Sequence, residues 1–201
     1  MPRLEKTIEA VFADRDIMPD EVPQLDLYMD QVTTFMEEHL KNTRRYEEDK
    51  VLTKTMINNY AKNNLLPPPV KKKYSREHML LLVFIYYFKN MLSFHDIEAL
   101  FAPITEGHFM DASGLSLQDI YEEVFSMEYE QMKRLKEDLL RKFHASEESF
   151  TDQKEDKDYL QLFTFICALG FDVFLKKQAM EMLIDQIRED YPVDHSKKKK
   201  S

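Results

Sequence analysis

The run Met79–Phe88, MLLLVFIYYF, leaves the chain few ways to fold around it. It holds ten residues, about half of the ~20 that a helix needs to cross a bilayer. It therefore predicts a helix buried in protein. Its apolar character extends nearly all round the helix, so other elements must cover it on several sides. Ser75 stands where an N-cap belongs, and the helix is predicted to run to about Met91 at the centre of the fold. Hydrophobic residues make up 43% of the 201, enough for a packed core. Only three glycines and twelve methionines point to helices, not a turn-rich β protein, as the cover.

The other apolar residues fall at helical spacing. Residues 3–13 predict a short helix with Leu4, Ile8, Val11 and Phe12 inward, and Pro19 and Pro23 then break the chain. Asp26–Leu40 predicts a second helix with Tyr28, Val32, Phe35, Met36 and Leu40 on one stripe. Lys41–Val51 is a polar connection, longer than a tight turn. Ser93-x-x-Asp96 opens a capped short helix that Pro103 should end, and Thr105–Gly114 follows as a linker. Ser116-x-x-Asp119 starts a long helix to about His144, with Leu117, Ile120, Tyr121, Val124, Phe125, Met132, Leu135, Leu139 and Phe143 as its stripe. Ala145–Lys157 is expected to be a mobile loop. Tyr159–Ile187 is the last helical stretch, with Gly170 expected to kink or split it, because glycine costs about 1 kcal/mol against alanine in a helix interior. Its apolar residues (Leu160, Phe163, Ile166, Leu169, Val173, Phe174, Met180, Leu183, Ile184 and Ile187) exceed what one partner helix buries. The expected cover is the other C-terminal helix and a second copy of the chain. The division is residues 1–113 as one domain, and 114–201 as a helical C-terminal region with a basic tail, Lys197–Lys200.

Charge is segregated along the chain. Residues 41–80 hold ten Lys or Arg against four Asp or Glu, a net +6, which leaves −15 for the rest of a chain whose total is −9. Within the basic part lies Leu52–His78, LTKTMINNYAKNNLLPPPVKKKYSREH. Met56, Ile57, Tyr60 and Ala61 share one side of a short helix that Thr53 can cap; Thr55, Asn58, Asn59 and Lys62 share the other. Pro67–Pro69 cannot continue the helix, and Leu66 before them is pushed out of the α region. An asparagine can bond adenine in a bidentate way on a helix lying in the major groove. Lys54, Lys62, Lys71, Lys72, Lys73 and Arg76 are suited to phosphates. Taken alone, the same stretch also fits a solvated helix followed by a proline-rich loop.

This stretch resembles the MerR-type winged helix-turn-helix. The shared features are a recognition helix (Thr53–Asn64), a Leu65-Leu66-Pro67 segment, a basic wing (Val70–Lys73) and a Tyr74-Ser75-Arg76-Glu77 helix start. The likeness continues through Met79, Leu82, Phe84 and Ile85 to Ser93-Phe94-His95-Asp96-Ile97, over roughly half the chain. With Leu27-Tyr28-Met29-Asp30-Gln31 added, the arrangement is similar to the YkrK-like family of uncharacterised bacterial proteins, to which no reaction is attached. The sequence departs from the MerR pattern in placing Thr55 and Asn58 where arginines usually stand, and in a shortened wing with no glycine. The resemblance implies an all-α, MerR-like winged helix-turn-helix with a reduced wing, followed by a C-terminal helical dimerisation region. It also implies double-stranded DNA as partner, in transcriptional control. Thr55, Asn58 and Asn59 would then read bases.

Nothing points to catalysis. The six histidines show no HExxH and no Cys/His pair, and GxGxxG, P-loop and GxSxG motifs are absent. The carboxylate pairs are surface-patterned, so no catalytic, cofactor or metal residue is assigned. His95, Asp96, His108 and Asp111 fit helix ends better than a metal site, and Tyr86, Tyr87 and Phe88 fit core packing better than a ligand pocket. The single cysteine, Cys167, excludes an internal disulfide and fits a small core residue in a cytoplasmic protein. Residues 1–20 lack the apolar stretch of a signal peptide, and no membrane contact is expected. The expected function is sequence-dependent DNA binding by a homodimer. The alternative is a non-catalytic helical adaptor that kept the fold without DNA binding, as the net acidic charge would suit.

Overall fold

The structure, a computed structural model, describes residues 2–12, 17–109 and 114–192, leaving out the side chains of 2–5, 129 and 130. Helix dominates it. The elements are α1 (Pro2–Val11), β1 (Leu27–Tyr28), α2 (Met29–Leu40), α3 (Lys54–Lys62), β2 (Lys73–Tyr74), α4 (Arg76–Phe88), α5 (Phe94–Gly107), α6 (Leu117–Glu147) and α7 (Lys157–Asp190). Short 3-10 turns occupy Pro19–Glu21 and Lys41–Thr43. The expected Leu4 contact, Asp111 and the Lys197–Lys200 tail lie outside the described side chains and residues.

The chain forms two compact units, one of Asp14–Phe125 with Glu181–Ser201, the other of Met1–Ala13 with Ser126–Met180. The chain passes between the units within α6, at Phe125–Ser126, and within α7, at Met180–Glu181. In the larger unit α4 is the core element. Every residue from His78 to Ile85 is buried, Leu80, Leu81, Leu82 and Ile85 completely. Around Phe84 cluster Phe101, Tyr121 and Phe125, at ring separations of 5.9, 5.2 and 5.8 Å. The Tyr121 hydroxyl donates to the carbonyl of Ile17 at 2.5 Å. Tyr87 and Phe88 are packing residues as well, against Phe125 and Phe101. Ser93 and Asp96 form the expected reciprocal cap, each side chain accepting the other's backbone N–H at 3.2 Å.

Three expectations about elements are corrected. Tyr28 does not belong to the α2 stripe. It pairs with Lys73 in an antiparallel ladder while Leu27 pairs with Tyr74, and its side chain is exposed. Helix α2 starts only at Met29, where the Gln31 side chain accepts the Tyr28 N–H at 2.9 Å. Pro103 does not end α5, which runs on to Gly107. The ring stands one turn from the helix end and removes only the bond to the Ala99 carbonyl, and the buried Ala99, Phe101 and Ala102 hold the helix in place. The Ala145–Lys157 segment is partly the end of α6, followed by a turn with left-handed Phe150 and Asp156.

The smaller unit is built on an antiparallel hairpin of α6 and α7. Phe143 meets Phe165 edge-on at 5.6 Å. Buried Gln161 donates to the carbonyls of Glu147 and Ser149 at 2.6 and 3.0 Å, and Lys142 pairs with Asp138 and Asp172. Helix α7 passes through Gly170 without a break. By length and composition alone it could also cross a bilayer. The polar residues Gln161, Thr164 and Asp172 interrupt its apolar run.

Candidate nucleic-acid interface

Helix α3 is fixed at both ends by its own sequence. The Thr53 hydroxyl accepts the Met56 N–H at 3.2 Å. At the other end Asn64 adopts a left-handed φ of 64°, and the N–H groups of Leu65 and Asn64 return to the carbonyls of Tyr60 and Ala61 at 2.9 and 3.4 Å. This is a Schellman stop with asparagine in the place glycine usually takes, so the helix ends at Lys62, five residues before Pro67. Buried Ile57 and Tyr60, followed by Leu65 and Leu66, hold it against the core. Thr55, Asn58, Asn59 and Lys62 are consequently exposed on the opposite face, together with Lys54. Lys54 pairs with Asp30 at the start of α2.

The Val70–Lys73 segment, expected to form a reduced wing, is a complete, very short hairpin. Val70 and Lys73 close a two-residue turn, with the Lys73 N–H on the Val70 carbonyl at 2.9 Å. Lys71 and Lys72 at its tip have φ of 51° and 65°, the positive signs of a type I′ turn, which normally takes Asn-Gly. Both lysines are exposed. Lys73 is half-buried, with its ammonium 5.3 Å from the centre of the Tyr28 ring. β1 supplies the wing with its partner strand and is the residue pair missed on the sequence. Its local signal is Pro23, which keeps the chain out of a helix just ahead of Leu27. Helix α3 and the β1–β2 ladder both pack on α2.

Arg76 is not on this surface. It is buried, and its guanidinium donates to the carbonyls of Val22 and Pro19 at 2.7 and 2.6 Å, pinning the Pro19–Glu21 turn to the start of α4. A phosphate cannot reach it without breaking those bonds. Beside it, buried His78 links the proline segment to the same helix end. Its Nδ1 accepts the Ser75 N–H at 3.0 Å, and its Nε2 lies 3.2 Å from the Pro67 carbonyl. The ring is therefore neutral with the proton on Nε2. Burial holds its pKa below the usual histidine value, against the opposing pull of the Pro67 and Pro68 carbonyls.

The connection between α2 and α3 departs from a tight helix-turn-helix, whose turn takes three or four residues. Here it occupies 41–53 and is held by Arg44, which pairs with Glu37 at 2.6 Å and donates to the carbonyls of Lys41, Glu47 and Asp49. A shallow groove of about 320 Å³ lies along α2, lined by Pro23, Leu27, Asp30, Gln31, Thr34, Phe35 and Glu38. Among the described residues no group of three or more His, Cys, Asp or Glu is arranged to hold a metal ion.

Residues 17–124, more than half of the chain, match the model of a domain of unknown function, DUF1836. The chain belongs to the DUF1836 family. No curated protein and no solved structure matches it. The DUF1836 segment coincides closely with the Asp14–Phe125 part of the larger unit, so the family domain contains α3, the Val70–Lys73 hairpin and the buried α4.

Proposed function

We propose that this DUF1836 protein binds double-stranded DNA in transcriptional control, in the cytoplasm, through a winged helix-turn-helix of the MerR type. Helix α3 would enter the major groove, with Thr55, Asn58 and Asn59 toward base edges. Lys62, Lys71 and Lys72 would meet phosphates, with Lys54 and Lys73 at the margin. Arg76 has no part in it, and no catalytic step is involved.

The observation that carries this reading is the wing tip. A non-glycine residue in the left-handed region costs about 1–2 kcal/mol, and the chain bears that cost twice in succession, at Lys71 and Lys72. Strain of this kind collects at functional sites. Here it holds two ammonium groups at the end of a hairpin where neither has a partner among the described residues. Two ammonium groups at a hairpin tip beside α3 are suited to the phosphates that flank a groove.

Binding of a selected duplex and of random duplex, measured by fluorescence anisotropy at two salt concentrations, tests the assignment. Asn58→Ala should cost about 1–3 kcal/mol on the selected site and much less on random DNA. Lys71→Ala should weaken both alike and lower the salt slope by about one. Equal losses on both duplexes for Asn58→Ala would remove the base-reading role, and no duplex binding at low salt would leave the adaptor. A second measurement isolates the strain. Lys71→Asn with Lys72→Gly should raise unfolding stability by about 1–2 kcal/mol while DNA affinity falls; a variant no more stable than wild type would mean the turn stores no strain.

A further inference from the structure

Helix α7 turns more apolar surface outward than one neighbouring helix covers. Between 160 and 175 only Gln161 and Phe165 are buried. Leu162, Phe163, Ile166, Phe171, Phe174 and Leu175 are between 44 and 68% exposed. At 3.6 residues per turn these six side chains sweep about 220° of the helix circumference, roughly twice the stripe of about 100° that faces a packed core. A helix of this length and composition, apolar on most of its sides, belongs in the middle of a fold or against lipid. Its exposure removes the first. The polar side chains of the same stretch agree. Gln161 donates to the carbonyls of Glu147 and Ser149, the Thr164 hydroxyl donates to that of Leu160 at 2.9 Å, and Asp172 pairs with Lys142. Each is satisfied by α6 or by its own helix, so none calls for water on the outer face.

We infer that the α6–α7 hairpin lies flat on an anionic membrane surface, with the outer arc of α7 sunk into the boundary between headgroups and acyl chains and α6 on the aqueous side. Spanning the bilayer is excluded by the partner helix. α6 runs beside α7 from the Gln161 bonds to the Lys142–Asp172 pair, and it carries exposed Lys133, Arg134, Glu137 and Arg141. Such residues are strongly disfavoured at the centre of a membrane. An apolar helix beneath a charged one is instead the layering of an interfacial element, whose apolar face sinks by about 5–10 Å. Residues 160–175 extend about 24 Å along the surface. Lysines close both ends, Lys157 before the stretch and exposed Lys176 and Lys177 after it, where long side chains reach phosphate while their stems stay in the apolar layer. This runs against the expectation of no membrane contact, which followed from uninterrupted apolar runs alone. A second copy would cover one stripe of the arc and leave the rest in water.

The inference does not depend on DNA binding, and its test involves no DNA. Full-length protein is mixed with phosphatidylcholine–phosphatidylglycerol vesicles. The chain contains no tryptophan, so Phe174→Trp introduces a single reporter on the outer arc, and Glu137→Trp a single reporter on α6. With vesicles, the emission of the first should shift to the blue and be quenched by lipids brominated in their acyl chains; that of the second should stay unchanged. Phe163→Ser with Phe174→Ser should leave the circular dichroism unchanged and lower the vesicle partition coefficient by at least about tenfold, since both rings are buried in lipid. Wild-type protein that stays in the supernatant at low salt overturns the inference. So does equal quenching at the two reporter positions, or co-sedimentation indifferent to the double serine variant. A species of twice 24.1 kDa in which the Phe174→Trp emission is already blue without vesicles, and unchanged by them, would give the arc to a second copy and overturn it as well.

Discussion

Helices α4 and α7 are both rich in large apolar residues, and the fold treats them in opposite ways. In α4, Leu80 to Val83 have no exposed surface, whereas in α7 Phe163, Ile166, Phe171, Phe174 and Met182 are all more than half exposed. The difference is not one of hydrophobicity. α4 is short and stands among α5 and the start of α6, which bring Phe101, Tyr121 and Phe125 to it, and the Pro19–Val22 segment, whose carbonyls hold Arg76. α7 is 34 residues long, and on the face turned away from α6 Phe163, Ile166 and Phe174 stay exposed. Apolar character states that a surface is to be covered; only the number of neighbours states by what.

The largest effect that would break this contrast is in α4. Leu82→Ala should cost about 2–5 kcal/mol in chemical denaturation, transfer and cavity terms together. A variant as stable as wild type would take α4 out of the core. The next effect comes from the polar group that α4 buries. Because burial lowers the pKa of His78 in the folded state, the unfolded chain takes up the proton first. Stability from this group is therefore complete above about pH 6.5, the unfolded value, and is lost as pH falls from there through the lowered folded value. Melting temperature followed from pH 7.5 to 5 should fall more steeply for wild type than for His78→Gln. Parallel curves would show that the ring stays uncoupled from folding. The smallest effect belongs to α7. Ile166→Ser should change the unfolding of the single copy, measured at high dilution, by less than about 0.5 kcal/mol, as at a surface site. A loss comparable to that of Leu82→Ala would mean that α7 is covered within the chain after all.

What was legible in the sequence was local. Thr53, Ser93 with Asp96, and Ser116 with Asp119 act within one helical turn, and each cap forms where its spacing predicted. The two faces of α3 follow from periodicity in the same way. What was not legible depends on distant partners. Arg76 looked like a phosphate ligand because it follows three lysines, yet its guanidinium is spent on carbonyls 54 and 57 residues earlier. Tyr28 fits a helical stripe perfectly well until Lys73 offers it a strand. Asn64 was a local signal that the prolines masked, since either alone would stop the helix. Among the proposed DNA contacts, seven of the nine side chains lie exposed because their neighbours in sequence face inward. The two exceptions, Lys73 and Arg76, are drawn inward by distant partners, the Tyr28 ring and the Val22 and Pro19 carbonyls.

The hydrogen bond from the Tyr121 hydroxyl to the Ile17 carbonyl joins the beginning of the family segment to its end. A module whose entry and exit are stapled together behaves like a cassette. It can be placed within a host chain, or circularly permuted by linking its ends and cutting a surface loop, without pulling its interior open. Sequence between Ser126 and Met180, which lies outside that compact unit, is then free to change at little cost to the module, so the parts of such chains that differ most are expected there.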